Sequence, residues 1–296
     1  MKPISMCQIR ALMRVGAKIA IGASFYLVLI SFARHMPGAA GIMLTFPALN
    51  GLALLFADRE SLPRVAGTML AIPLANAVLC FASILTIGRF PILVADETLA
   101  YASLAALFVI WITAATTLPI VQVAERVRTP FSVACSVGLI ALTLHLGSSL
   151  THDAGTPGSW LDFANANRDR IGLFAICLVI VAAYTERRWF APSPHVLGLI
   201  GGLPLVTFIG LATTATDRTR SLDQRLASLH DMQMTVWLGP ILSIWFIHLF
   251  SLYLARRPSD DPQYWWHQAP ELLVAWSIGL AGVFALQYGY GLLHPA

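Results

Sequence analysis

The sequence predicts an all-α, polytopic integral membrane protein, and its low charge, high hydropathy and long apolar stretches all support this class. The chain has 296 residues, of which 57% are hydrophobic and only 11% are charged, whereas soluble domains carry about 25% charged residues. Mean hydropathy is +0.71. Because a spanning helix requires roughly 20 apolar residues, the stretches predict about nine transmembrane helices, within a range of eight to ten.

Proline, glycine and charged residues mark the ends of the predicted spans. The nine spans are residues 15–33, 36–57, 65–88, 98–121, 129–149, 170–187, 196–216, 231–254 and 270–292. We expect a single transmembrane domain over residues 1–296. Within it we predict a first repeat at 12–125, a linking helix at 129–150 and a second repeat at 168–293.

The distribution of Lys and Arg predicts a cytoplasmic N-terminus. In that orientation twelve of the 19 basic residues lie on the cytoplasmic side and seven on the opposite side, as the positive-inside rule favours. The first apolar segment continues to Phe32 without a convincing small-residue cleavage site, so we interpret it as an uncleaved span. The net charge of +4 lies in short loops, so we expect contact with the lipid bilayer and no nucleic acid partner.

Two stretches, residues 35–62 and 195–222, resemble each other at an offset of 160 residues. Each begins with a histidine followed by glycines at the same spacing, and they end in "DRESL" and "DRTRSL". The aligned pairs are His35 with His195, Gly38 with Gly198, Gly41 with Gly201, Leu49 with Ile209 and Leu52 with Ala212. The next span in each half contains an interior proline, Pro73 or Pro240.

These similarities predict two inverted four-helix repeats. One span separates the two sets of four, so matched spans cross the membrane in opposite directions. Inverted repeats with interrupted helices are a common plan of secondary transporters, whose site lies near the membrane midplane between the repeats. The alternative is that glycines recur only because small residues pack transmembrane helices closely.

The segments "LTFPAL", "LPLVTF" and "WLGPILSIWFIHLFSLYL" resemble the GlpM-like small inner-membrane proteins, with about one such unit in each half of the chain. The resemblance implies a bacterial inner (plasma) membrane location and an association with exopolysaccharide production. It implies no catalytic residues.

The predicted substrate-binding residues combine backbone carbonyls freed by prolines with uncharged polar side chains inside the spans. They are Asn50, Asn76, Thr45, Pro47, Thr207 and Pro204. A proline removes a helix hydrogen bond, and an amide both donates and accepts. Alternatively, the prolines only kink the helices, the asparagines bond between helices, and the threonines bond to their own helix.

Two histidines inside predicted spans, His145 and His248, are candidates for proton coupling because imidazole titrates near neutral pH. Packed, neutral histidines are the alternative. No carboxylate lies deep in any span, which weakens a proton or sodium coupling model.

Asp58 and Asp217 are each followed by arginine, and we expect interfacial ion pairs there. No cofactor or metal is expected, and the four cysteines have no paired spacing.

The leading functional hypothesis is a secondary transporter or permease for a small or amphipathic solute. The alternative is a non-transporting subunit or scaffold of an envelope polysaccharide or lipid pathway, and a homodimer or an envelope-biosynthesis partner fits either. An intramembrane enzyme that uses His145, His248, His152 and Asp153 is a third class. A transporter requires a hydrated cavity between the repeats, a scaffold packs solidly there, and an enzyme brings ionisable groups together.

Overall fold

The computed structural model describes residues 6–45, 54, 60–117, 122–147, 158–186, 205–256 and 269–294. All regular secondary structure in these ranges is helical. The predicted all-α class is therefore confirmed for the described part of the chain.

The helices of the first half are α1 (Met6–His35), α2 (Pro37–Met43), α3 (Leu62–Met69), α4 (Ile72–Arg89), α5 (Pro91–Ala95), α6 (Glu97–Thr117) and α7 (Arg128–Leu146). The second half contains α8 (Trp160–Ala166), α9 (Arg168–Glu186), α10 (Leu205–Ala215), α11 (Leu222–Thr235), α12 (Gly239–Arg256) and α13 (Ala269–Leu293). Short 3₁₀ helices precede α7 and join α11 to α12, at Glu125–Val127 and Val236–Leu238.

Five helical segments of the described chain are long and apolar enough to cross a membrane. They are Val15–His35, Leu62–Arg89, Glu125–Leu146, Leu222–Arg256 and Pro270–Leu293, and Glu97–Thr113 is a shorter apolar helix. Large apolar side chains on α7 and α13 point outward, with Val137 exposed by 63% and Ile278 by 68%. Such surfaces are those of helices that face lipid.

The eighth predicted span begins earlier than expected. Its helix starts at Leu222 instead of residue 231, because a capping box stabilises the first turn. The Ser221 hydroxyl accepts a hydrogen bond from the Gln224 amide at 3.3 Å, and the Gln224 side-chain oxygen accepts one from the Ser221 amide at 3.1 Å. The helix is interrupted just before Pro240, and the third span is interrupted just before Pro73. Prolines in the first turn of a helix are tolerated because no intrahelical N–H bond is lost there.

Contacts at one end of the bundle join the start of α6 to the start of α9. Glu97 Oε1 lies 2.6 Å from Arg170 Nη2. At the same end Arg218, in the loop before α11, donates to Glu97, and Arg225 of α11 bonds to the last carbonyl of α10 at 3.0 Å. We call this end of the bundle the Glu97 end.

Contacts at the opposite end join the starts of α3 and α7 to the last turns of α12. The Arg128 guanidinium donates to the Pro63 carbonyl, and the Thr129 hydroxyl lies 3.1 Å from His248 Nε2. We call this end of the bundle the Arg128 end. At the Glu97 end Arg220 donates to the Ala33 carbonyl near the end of α1, and His294, after α13, lies against Gly147, after α7. Helices α1, α3–α4, α7, α10 and α13 therefore run toward the Glu97 end, and α6, α9 and α11–α12 run toward the Arg128 end.

Helix α2 lies in the centre of the described bundle. All seven of its residues are buried, and it packs against α1, α11, α12 and α13. It follows α1 at the Glu97 end and is far too short to cross a bilayer, since seven residues rise only about 10 Å. Residues 46–53 and 55–57 of the predicted second span lie outside the described residues.

Candidate functional site

The inner end of α2 is bonded to the second half of the chain through side-chain hydroxyls. The Thr207 hydroxyl donates to the Leu44 carbonyl, and the Ser243 hydroxyl donates to the Thr45 carbonyl. These four residues, named the central junction, belong to the segment after α2, to α10 and to α12. Because the membrane interior supplies no water, carbonyls there require such internal donors.

Two glycines allow α2 to approach the interrupted helix α11–α12 closely. A Cβ atom on Gly41 would overlap the Met232 carbonyl oxygen and would lie 2.7 Å from Met232 Cα. A Cβ atom on Gly239 would overlap the Ile42 carbonyl oxygen and would lie 3.1 Å from its carbonyl carbon. The contact is therefore between backbones, and only glycine fits at these two positions.

The Thr235 hydroxyl adds a bond at the start of α2. It donates to the Gly38 carbonyl at 2.6 Å and lies at the end of α11, where the long helix is interrupted. Three hydroxyls from the second half of the chain thus bond to the backbone of a segment that begins at Gly38 and ends at Thr45.

The structure brings together two of the six predicted substrate-binding residues. Thr45 and Thr207 are both buried, with exposed fractions of 5% and 6%, and they meet at Leu44. The Thr45 hydroxyl also donates to the Ile42 carbonyl in the last turn of α2, at 3.4 Å, so it bonds to a nearby carbonyl of its own segment. Asn76 is buried in the second turn of α4. Asn50, Pro47 and Pro204 lie outside the described residues.

The two predicted proton-coupling histidines lie at opposite ends of the bundle. His248 is buried, contacts the Thr129 hydroxyl and packs edge-on against Trp245, with ring centroids 6.0 Å apart. His145 is exposed near the end of α7. Because Thr129 and His145 are sixteen residues apart on one helix, about 24 Å separates them along its axis. These two side chains do not converge on a single site, and His152 and Asp153 lie outside the described residues.

A set of charged residues at the Glu97 end was not expected from the sequence. It is named the arginine network and contains Arg34, Arg170, Arg218, Arg220 and Arg225 with Glu97, Asp169 and Asp217. Arg218 binds both oxygens of the Glu97 carboxylate, with Nε 2.8 Å from Oε1 and Nη2 2.7 Å from Oε2. This pairing, assisted by Arg170, lowers the pKa of Glu97 to about 2, and Glu97 in turn raises the pKa of Arg218.

The expected ion pair between Asp217 and Arg218 is wrong. Asp217 is buried and accepts hydrogen bonds from Asn167 at 3.3 Å and from the Thr219 hydroxyl at 2.8 Å. Arg218 instead binds Glu97 and reaches Asp169 at 3.2 Å. The carboxylate thus orders the loop after α10, and the neighbouring arginine points away from it. Asp58 lies outside the described residues.

Arg220 and Arg225 bind carbonyls at the ends of helices. Arg220 donates to the Ala33 carbonyl at 3.3 Å and to that of Arg34 in the last turn of α1. Arg225 donates to the carbonyls of Val94 at 2.9 Å and Ala215 at 3.0 Å, which end α5 and α10. Cations are favourable at helix C-termini, where the carbonyls lack intrahelical donors.

The sequence contained one indication of this network. Three arginines in or just after "DRTRSL" lie on the side predicted to be opposite to the cytoplasm, so they reduce the excess of basic residues on the cytoplasmic side. In the structure these three arginines are bound within the protein. Among the described residues there is no group of three or more His, Cys, Asp or Glu side chains that could hold a metal ion.

Comparisons of the chain with protein-family models, with curated proteins and with solved structures give no match.

Proposed function

We propose that the protein is a secondary transporter or permease that moves a small or amphipathic solute across a bacterial inner membrane. In this proposal two inverted repeats, each similar to a GlpM-like unit, enclose the solute path, and the N-terminus is cytoplasmic. The observation that carries the proposal is the central junction, where the segment after α2 bonds to α10 and to the beginning of α12.

The directions of the helices support the repeat. The predicted third span, α3–α4, runs toward the Glu97 end, and its proposed counterpart, α11–α12, runs toward the Arg128 end. The sixth span, α9, likewise runs opposite to α1. Both long interrupted helices break just before a proline in their interior. Interrupted helices that face each other between repeats are typical of solute sites in secondary transporters.

The solute in this proposal binds beside the central junction. Thr45 and Thr207 supply hydroxyls, Asn50 and Asn76 supply amides, and the backbone near Pro47 and Pro204 supplies carbonyls. His248, whose Nε2 already contacts Thr129, and His145 are the proposed proton-coupling residues.

Cysteine accessibility tests the solute path. Thr45→Cys, Asn50→Cys and Asn76→Cys would be made one at a time after Cys7, Cys80, Cys135 and Cys177 have been replaced. A membrane-impermeant thiol reagent would be added from either side. We expect labelling of these positions from at least one side, because a solute path is hydrated and the reagent requires a thiolate in water.

Two control positions calibrate the experiment. Arg89→Cys, at an exposed position of the Glu97 end, should be labelled only from the side opposite to the cytoplasm. Val137→Cys, on the outward apolar face of α7, should be labelled from neither side. If the positions at 45, 50 and 76 remain unlabelled in every condition while the cysteine at 89 reacts, the transport proposal is wrong.

A second candidate is a non-transporting membrane subunit of an envelope polysaccharide or lipid pathway. The backbone contacts at Gly41 and Gly239 favour it, since they leave no space for even a methyl group between α2 and α11–α12. Absence of labelling at all three central positions would support this candidate, because a scaffold needs no hydrated path.

A further inference from the structure

Arg34 is a buried cation whose hydrogen bonds are incomplete. It lies in the last turn of α1 and is only 3% exposed. Its Nη2 donates to the Gly158 carbonyl at 2.8 Å. Its Nε and Nη1 atoms are buried, and in the part of the chain that the structure describes neither has a hydrogen-bond acceptor. An unsatisfied donor on a buried charged group is strongly unfavourable.

The carboxylates of the arginine network are already engaged elsewhere. Glu97 pairs with Arg170 and Arg218, and Asp169 also binds Arg218. Asp217 attracts Arg34 electrostatically but accepts its hydrogen bonds from Asn167 and Thr219. Five arginines against three carboxylates leave an excess of two positive charges in the network, and within the described chain Arg34 has no carboxylate at ion-pair distance.

Helix α8 covers Arg34 with aromatic rings. The Arg34 Cζ atom lies 4.6 Å from the centroid of Phe163 and 5.1 Å from the centroid of Trp160. Trp160 is also 42% exposed, so it forms the outer edge of this cover. The first turn of α8 is held by Ser159, whose hydroxyl donates to the Asp162 carboxylate at 2.7 Å. The Asp162 carboxylate therefore binds within α8.

We propose that Arg34 is the centre of a binding site for a phosphate group, beneath α8 at the Glu97 end. Nη2 forms one edge of the guanidinium with Nε and another with Nη1. Once Nη2 leaves the Gly158 carbonyl, either of these edges presents two donors to two oxygens of one phosphate group. Its negative charge offsets part or all of the excess positive charge of the network. Outward movement of α8 releases the Gly158 carbonyl and admits the anion.

This site lies at the Glu97 end, away from the central junction, and its existence does not depend on transport. The phosphate group belongs either to a free solute or to the headgroup of an anionic lipid. Both sources present the same oxygens to Arg34, so the experiment must separate them.

Binding to the full chain tests the proposal. Thermal unfolding of the purified protein would be measured in a nonionic detergent with sodium phosphate and with sodium chloride at equal ionic strength. A parallel arm compares nanodiscs of phosphatidylglycerol with nanodiscs of phosphatidylcholine. We expect phosphate or phosphatidylglycerol to raise the unfolding temperature beyond its control, and the arm that responds identifies the source.

Variants assign the effect to Arg34. Arg34→Gln should weaken the apparent affinity about ten- to hundredfold, since it removes hydrogen bonds to a charged group. Arg89→Gln, which removes an exposed arginine from the same end, should leave the affinity unchanged. Equal effects of the two variants, or an affinity of Arg34→Gln equal to that of the wild type, would overturn the proposal.

Two further measurements apply if Arg34→Gln fails to fold. Arg34→Lys keeps the positive charge but loses the guanidinium edges, and we expect an affinity between those of the wild type and Arg34→Gln. Hydrogen exchange of residues 158–166 in the wild type requires no variant, and the responding probe should change the protection of this segment. A wild type in which no probe alters either unfolding or exchange would contradict the site.

Discussion

Gly41 and Gly239 are the residues at which α2 and the interrupted helix α11–α12 come into backbone contact. Each has neighbouring main-chain atoms where a Cβ atom would be. Gly138 of α7 is different, because no atom outside its own helix lies within 4 Å of an added Cβ. The three glycines therefore allow a matched comparison within one protein.

We expect Gly41→Ala and Gly239→Ala each to lower the free energy of unfolding by about 1–3 kcal/mol or more, because backbone atoms cannot move aside as a flexible side chain can. Reversible unfolding in mixed micelles measures the change. Gly138→Ala should be neutral or slightly stabilising, since alanine favours the helix. A loss of stability at position 138 as large as that at 41 would show that the close contact is not the cause.

Thr207 is a residue whose hydrogen-bond partner could not be predicted from the sequence. Its position in an apolar span beside Pro204 suggested a polar function, but its partner, the Leu44 carbonyl, is 163 residues away in the chain. The buried Thr143, in contrast, bonds to the Leu139 carbonyl of its own helix. Both threonines lie in apolar spans, so the sequence does not distinguish a hydroxyl that bonds to its own helix from one that bonds across the bundle.

Helix α11 shows how a polar segment can belong to a long helix. The segment from Leu222 to His230 contains charged residues, and from the sequence it was assigned to a loop. In the structure Arg225 binds carbonyls at helix ends and Ser228 is buried, where Arg220 donates to its hydroxyl at 2.8 Å. Hydropathy located the apolar part of this helix correctly, whereas its start depended on capping and on distant partners.

The capping box at the start of α11 gives a prediction for this element. Ser221→Ala should lower the free energy of unfolding by about 1 kcal/mol, because the Gln224 amide loses its acceptor. The measurement is again reversible unfolding in mixed micelles. Ser277→Ala is the control, since the Ser277 hydroxyl is exposed and bonds back to the Leu273 carbonyl of its own helix. If both variants lose the same stability, the cap does not determine where this helix begins.

The arginine network connects both halves of the described chain at the Glu97 end. Glu97 belongs to the first half and precedes the apolar part of α6, whereas Arg170 and Arg218 belong to the second half. Hydropathy along the sequence predicted most of the helices because hydrophobicity is a local property. It did not predict this network, because its members lie at positions from 34 to 225 and only the fold brings them together.

The low pKa of Glu97 predicts acid sensitivity of the whole molecule. Its pKa falls from 4.5 to about 2 on folding, so it stabilises the protein above about pH 4.5, and this contribution is lost as the pH falls toward 2. The stability of the wild type, measured across that range, should decrease more steeply than that of Glu97→Gln.

Glu60→Gln is the control for acid sensitivity, because Glu60 is exposed and has no ion pair within the described chain. It should follow the wild-type curve. A curve for Glu97→Gln that also follows the wild type would show that Glu97 does not contribute to acid sensitivity.

The hydroxyl donors that hold α2 also set an order for biogenesis. Thr207, Thr235 and Ser243 emerge from the ribosome about 160–200 residues after the segment they bind, which at 5–20 residues per second is roughly 10–40 s later. During that interval the carbonyls of Gly38, Leu44 and Thr45 lack these three donors. The three hydrogen bonds can therefore form only when the nascent second half arrives in the membrane beside this segment.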